Sequence, residues 1–135
     1  MSTNNIDAHI ARALEAFNDH NADGVADEFA EEGTFYDPPQ DEKLTKPEFR
    51  EYCKTLLEAF PDVRMEEDRA FVTPGGAAIE WTFSGTHEAP IGEIPPTGKR
   101  ITLPGVSIIT TSDDGITSWR DYWDQQNFVE KLGIA

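Results

Sequence analysis

In the N-terminal half of the chain the apolar positions recur at helical spacing; in the C-terminal half they alternate. Ile6, Ile10, Ala13, Leu14 and Phe17 mark a first amphipathic helix, which ends near HNADG. Asn21 can cap a short second helix with Val25, Ala26 and Phe29 on its inner face, stopped at Glu32-Gly33. A short strand, Thr34 to Asp37, and a loop, PPQDEKL, follow. Thr45 with Pro47 and Glu48 is a capping-box start with proline in the first turn. It opens a helix whose apolar stripe is Phe49, Tyr52, Cys53, Leu56, Leu57 and Phe60, and Pro61 ends it.

Beyond Pro61 the period changes. Val63 to Val72 reads as a strand, followed by a turn at Pro74 to Gly76. The next stretch puts Ile79, Trp81 and Phe83 on one side and Glu80, Thr82 and Ser84 on the other. EIPPTGKR is a loop. KRITLPGVSIITT is a long strand expected to bend or bulge at Pro104-Gly105. Asp113 to Gly115 form a hairpin turn, ITSWRDYWD the last strand, and QQNFVEKLGI a terminal helix. Helices first and hairpins afterwards predict an α+β domain, with the helices packed on the concave face of a curved antiparallel sheet. Helices cannot fill such a face completely, and the gap at its open end suits a ligand.

A chain of 135 residues, without repeats or linkers, suits one domain, residues 1–135. The formal net charge of −15 repels nucleic acid phosphates and anionic membranes, so neither is expected as a partner. The acids are scattered, which fits a solvated, salt-tolerant surface of the kind found in high-salt cytoplasm, and speaks to habitat more than to chemistry. No apolar stretch is long enough to span a bilayer, and the N-terminus lacks a basic segment followed by an apolar one, so no signal peptide is expected. The lone Cys53 cannot form an internal disulfide and fits a reducing cytoplasm, with packing on its helix as its role. No Cys/His cluster has zinc-site spacing, so no metal is expected. Phosphate-loop, nucleophile-elbow and HExxH motifs are all missing.

The run FSGTHEAPIGEIPPTGKRITLPGVSIITTSDDGITSWRDYWDQQNFVEKLG resembles the SnoaL-like polyketide cyclase family, also described as ester cyclase-like. The matching pieces are Ser84 to His87, the loop Gly92 to Gly98, Asp114-Gly115, Asp124 and Leu132-Gly133; FYDPP resembles the family's His-x-Pro segment. The resemblance implies the nuclear-transport-factor-2-like cone, cofactor-free acid/base chemistry of aldol cyclase or isomerase type, and an apolar, carbonyl-bearing substrate in the cavity. WRDYWD also looks like the last strand of limonene epoxide hydrolases. The neighbouring strand, EWTFSGTH, lacks the arginine–aspartate pair which that reaction needs, so the hydrolase ranks second. A non-catalytic binding domain of the same fold is a further alternative.

Residue roles follow from the resemblance and from strand parity. In the cyclases that this chain resembles, the aspartate ending the last strand is the acid/base group, and Asp124 matches it. Alternation then sends Arg120 and Tyr122 into the cavity with Asp124, and Trp119, Asp121 and Trp123 to the convex face. The two tryptophans there suggest a homodimer surface, which is common in the family. Asp124 as a helix N-cap, or as the partner of Arg120 in an ion pair, is the structural alternative. His87 matches the family histidine and is expected either to assist proton transfer or to bond the Pro90–Gly98 loop. Tyr36 stands where the family carries histidine and, with Arg120, Tyr122 and Trp81, is expected to orient substrate. Asp37 is expected to serve the turn before Pro38.

Overall fold

The computed structural model of the chain describes residues 6–38 and 42–134. The signal-peptide expectation rests partly on residues 1–5 and the loop 38–44 partly on 39–41, which lie outside the described residues. The elements in chain order are α1 (Ala8–Asn18), α2 (Ala22–Asp27), β1 (Phe29–Tyr36), α3 (Lys46–Ala59), β2 (Arg64–Thr73), β3 (Gly76–Thr86), β4 (Arg100–Ser112), β5 (Gly115–Trp123) and α4 (Gln125–Leu132). The strands form one sheet in the order β1-β5-β4-β3-β2, antiparallel except for β1, which lies parallel to β5. This is the α+β architecture expected from the pattern. Among the described residues, no helix is long and apolar enough to cross a membrane.

Local chemistry explains the helices. The Asp7 side chain caps α1 by accepting from the His9 N–H, and Asn21 caps α2 by accepting from the Gly24 N–H. α3 has the full capping box: Thr45 Oγ1 accepts from the Glu48 N–H, and Glu48 Oε1 accepts from the Thr45 N–H. Its apolar stripe docks on β1 through Phe49, whose ring centroid lies 4.7 Å from Phe29 and 4.4 Å from Phe35. Ile10, Ala13 and Phe17 of α1 are buried, as are Ile79, Trp81 and Phe83 of β3 and Leu103 and Ile109 of β4, so the core lies between the helices and the concave face.

Two expectations about strands change. β1 begins at Phe29, so the second helix is shorter and the strand longer than the periodicity suggested. Pairing with β5 overrides the local pattern here, and Gly33 permits it: a Cβ there would lie 2.4 Å from the Ile116 carbonyl oxygen. The bend expected at Pro104-Gly105 is not a bulge, since the register with β3 runs through both residues; the irregularity falls between Thr110 and Thr111. Pro104 lies one residue past the last β4–β5 pair, Gly105 with Trp123, where a missing N–H costs little.

Candidate active-site cavity

A cavity of about 500 Å³ opens between α3, α4, the 88–99 loop and the concave sheet face. Its walls are aromatic: Phe35, Tyr52, Phe60, Trp81, Trp119 and Trp123 all contribute. Four carboxyl groups line it, Asp37 and Asp121 set among the aromatic rings and Glu48 and Glu51 on α3, and no lysine, arginine or histidine does so among the described residues.

Register places Asp121. Asp121 lies opposite Ser107 on β4, and Trp123 lies opposite Gly105, itself opposite Trp81 on β3. Gly105 is required by close approach: a Cβ there would come 2.2 Å from Cη2 of Trp81, whose ring lies across β4. The Ser107 hydroxyl accepts from the indole N–H of Trp81 at 2.8 Å and of Trp119 at 3.1 Å, and donates to Asp121 Oδ1 at 2.5 Å. Trp119 Nε1 also donates to Asp121 Oδ1, at 2.8 Å. One carboxylate oxygen is thus clamped by two donors, while Oδ2 accepts no hydrogen bond from any described residue. Asp121 is half-buried and lines the cavity, so its free oxygen is the one available to a ligand. Burial raises its pKa from 3.8 to about 7, with the charge of Asp37 adding to the rise and the bonds from Ser107 and Trp119 opposing it.

Asp37 follows β1 and is 2% exposed. Trp123 Nε1 donates to its Oδ1 at 2.6 Å, and the Tyr52 hydroxyl makes a very short hydrogen bond to its Oδ2. Burial raises the Asp37 pKa, against these two bonds. Burial, then Asp37, holds the Tyr52 hydroxyl protonated well above the usual phenol range. Burial also pushes the Cys53 thiol up to about 12, which fits a packing role.

Strand parity in β5 is the reverse of the expectation. Trp119, Asp121 and Trp123 line the cavity, whereas Arg120 and Tyr122 lie on the convex face. There Arg120 stacks over Tyr36 at 4.9 Å and donates to Tyr122 Oη at 2.9 Å, so Tyr36 is also outside the cavity. The physical reason is apolar area: two tryptophans under the helices bury far more of it than one tyrosine and an arginine would. Asp124 is exposed and caps α4, its Oδ1 accepting from the Asn127 N–H at 3.1 Å; it does not line the cavity. Trp81 lines the cavity and is at the same time buried in the core. His87 is fully buried behind Phe60, with ring centroids 5.4 Å apart, and its Nδ1 accepts from the Thr97 N–H at 3.2 Å. Its ring is therefore a tether for the 88–99 loop and is not among the cavity-lining groups. Burial pushes its pKa down, against a backbone contact from Ala89.

Asp121, Asp37 and Tyr52 are the groups that sequence reasoning passed over. One signal was available: two tryptophans flanking an aspartate at alternate positions mark the buried side of an edge-to-core strand. Among the described residues no group of three or more His, Cys, Asp or Glu is placed to hold a metal ion.

The sequence matches the family described as SnoaL-like polyketide cyclase over residues 8–132. No curated protein matches it. Similar solved structures include AclR, a putative hydroxylase from Streptomyces galilaeus, at 20% identity over 95% of both chains with a TM-score of 0.82. TsrD from Streptomyces laurentii is 21% identical over 96% of this chain and 99% of that one, with a TM-score of 0.79. A putative polyketide cyclase from Silicibacter sp. is 24% identical over 91% of each chain, with a TM-score of 0.77. At these identities the likeness is one of fold.

Proposed function

The chain belongs to the SnoaL-like polyketide cyclase family, and from that premise we propose that it is a cofactor-free acid/base enzyme acting on an apolar, carbonyl-bearing small molecule, with Asp121 as the base. The observation that carries this is the free Oδ2 of Asp121 in an aromatic cavity, its other oxygen clamped by Ser107 and Trp119. A carboxylate whose pKa has risen to about 7 holds a proton far better than an ordinary one, yet is still ionised in part near neutrality. It takes a proton from carbon next to a carbonyl, and the enolate then either reprotonates elsewhere, giving an isomer, or attacks a second carbonyl in the same molecule, closing a ring. An open cavity of about 500 Å³, of the size that holds drug-like ligands, supports substrate binding over a purely structural role.

The test does not need the natural substrate. Enolisation of β-tetralone, a bicyclic ketone small enough for the cavity, is followed by NMR as exchange of its α-protons in heavy water. The protein is expected to accelerate exchange, with a rate that climbs as pH passes about 7. Asp121→Asn is expected to lower it by about a hundredfold or more. Exchange at the wild-type rate in that variant, or no acceleration by the wild type, refutes the assignment.

A second copy of the chain is proposed to cover the convex face. Tyr36, Arg120, Ile108, Ala78 and Phe71 form one in-register row across all five strands there, and Phe71, Ile108 and Tyr122 are exposed. Tyrosine, phenylalanine and arginine are among the residues enriched at interface cores, and a two-fold axis would set this row against its own copy. Ile108→Glu is expected to turn a dimer into a monomer by light scattering; a monomeric wild type removes the proposal.

A further inference from the structure

A carboxylate taken out of water is costly unless hydrogen-bond donors and a counter-charge offset it. Asp37 is 2% exposed and accepts on both oxygens, from the Trp123 indole N–H and from the Tyr52 hydroxyl, as an ionised carboxyl does. Asp121 accepts on Oδ1 from Ser107 and Trp119. The donors are in place, but the counter-charge is missing. Among the described residues neither carboxyl takes part in an ion pair. The cations of the surrounding elements are engaged elsewhere: Arg50 with Asp23 and Asp27, Lys46 with the Phe29 carbonyl oxygen, Lys54 with Glu51, and Lys131 with the Thr102 carbonyl oxygen. Arg120 lies on the convex face over Tyr36. Residues 1–5, 39–41 and 135, outside the description, include no lysine, arginine or histidine.

The walls suit a cation independently of the carboxyl groups. Six aromatic residues line the cavity, and the π face of such a ring attracts positive charge. Tyr52 and Trp123 donate their polar hydrogens to Asp37, and Trp119 donates to Asp121. Donation to a carboxylate pushes electron density into the ring and makes its face a better partner for a cation. Glu48 and Glu51 add negative potential on the α3 side. The walls also discriminate among cations. Among the rings, the carboxyl oxygen left without a described partner is Asp121 Oδ2. A primary ammonium brings three N–H donors and would leave most of them unpaired, whereas a tertiary ammonium brings one and a quaternary ammonium none.

We propose that the substrate of this cavity carries a tertiary or quaternary ammonium group near its carbonyl, held against the rings of Tyr52, Trp119 and Trp123 by the charge of Asp37. This rests on the reading of the cavity as a substrate site and adds a charge to that substrate. The two aspartates then divide the work. Asp37 has both oxygens engaged and supplies the field that holds the cation, while Asp121 keeps Oδ2 for the carbon-bound proton. The cation also answers a need of the reaction. Proton removal builds negative charge on the carbonyl oxygen, and no lysine, arginine or histidine lines the cavity among the described residues to meet it. In the step, the C–H bond breaks, Asp121 Oδ2 takes the proton, and the electron pair becomes the enolate. The ligand's own positive charge offsets the enolate oxygen.

Benzyltrimethylammonium and neopentylbenzene have the same shape and differ by one charge, and they serve as the probe and its neutral control. Binding is read by quenching of tryptophan fluorescence, at physiological ionic strength so that the long-range pull of the chain's net charge is screened. The wild type is expected to bind the cation about tenfold or more tighter than the neutral control. Asp37→Asn and Asp121→Asn are each expected to weaken the cation about fivefold or more and to leave neopentylbenzene within about a factor of two. Glu32→Gln makes the same change in net charge at an exposed position outside the cavity and is expected to alter neither affinity. If Asp37→Asn does not fold, Asp121→Asn carries the comparison. Equal affinity for the two probes in the wild type, or a loss in Glu32→Gln as large as in the aspartate variants, overturns the inference. Equal affinities together with accelerated exchange of β-tetralone remove the cation and leave the proposed function standing. A preference for the cation without exchange supports the charged ligand and removes the base.

Discussion

Replacing Asp121 by asparagine has a consequence for stability as well as for turnover. In the unfolded chain this carboxyl titrates near its ordinary value of 3.8, and in the folded protein at about 7. A folded pKa above the unfolded one means that the folded state binds more protons between those values, so stability falls as pH rises across that window. Below it both states are protonated and the group contributes nothing. Above it both are ionised and the penalty is constant. At about 1.4 kcal/mol per unit the full penalty is about 4 kcal/mol. Asparagine is nearly the same shape, its Oδ1 can accept from Ser107 and Trp119 as Asp121 does, and its amide replaces the oxygen that has no partner. The variant therefore loses the penalty and keeps the support.

The assay is thermal unfolding of both proteins in buffers from about pH 3.5 to 8.5, followed by circular dichroism. For a chain of this length 1 kcal/mol moves Tm by about 3–5 °C, so the variant is expected to melt on the order of ten degrees higher at about pH 8. The two curves should converge as pH falls toward 3.8, the difference growing through the window up to about 7 and flattening above it. A variant less stable than wild type at alkaline pH, or a gap that widens toward acid, would refute the claim that burial of this carboxyl raises its pKa. A loss of activity with a gain in stability is also the signature expected of a strained functional group, and a structural aspartate would show the opposite.

Three other substitutions separate the parts of the site. Asp124→Ala removes an N-cap and is expected to cost about 1 kcal/mol by denaturant unfolding, with the β-tetralone exchange rate unchanged, because that side chain is outside the cavity. Ser107→Ala leaves the buried Trp81 indole N–H without its acceptor, while Trp119 keeps its bond to Asp121, and is expected to cost about 1–3 kcal/mol. It also removes a donor that holds the Asp121 pKa down, so the rising limb of the exchange profile is expected to move to higher pH. Gly105→Ala puts a methyl group 2.2 Å from the Trp81 ring and is expected to cost about 1–3 kcal/mol or more, with a shifted tryptophan emission as the ring is displaced.

Local chemistry was legible in the chain where it is decided locally. The capping box of Thr45 and Glu48 spans four residues, and both of its bonds form. The alternation of Ile79, Trp81 and Phe83 put Trp81 on the cavity side, where it lies. What failed was decided at long range. Asp37 looks like a turn residue because its partner Trp123 is 86 positions away, and no spacing pattern connects them. Tyr52 fits an apolar stripe, and only the arrival of β1 beside α3 gives its hydroxyl a partner. The β5 error had a different origin. Matching Asp124 to a family aspartate fixed the strand's parity from one residue, against the evidence of Trp119 and Trp123. A residue that caps a helix lies after the strand, where alternation no longer applies, so it is a poor anchor for parity.

β5 writes both surfaces of the sheet at once. Trp119, Asp121 and Trp123 furnish the cavity with the carboxyl group proposed as its base and with indoles that bond Asp121 and Asp37, while Arg120 and Tyr122 furnish the convex row. A slip of one residue would exchange the two sets. It would put a guanidinium beside Asp37 and bring two tryptophans into water. The register is pinned at both ends: Gly115 lies against the backbone of Glu28 and Phe29, where a Cβ would be 2.6 Å from the Glu28 oxygen, and Gly105 accepts the Trp81 ring opposite Trp123. Neither glycine touches the carboxyl groups, yet both hold the register that turns Trp119, Asp121 and Trp123 inward. Function lives in the site rather than in the fold, and the reading proposed above puts it at the inward position of Asp121 and at the groups that clamp it.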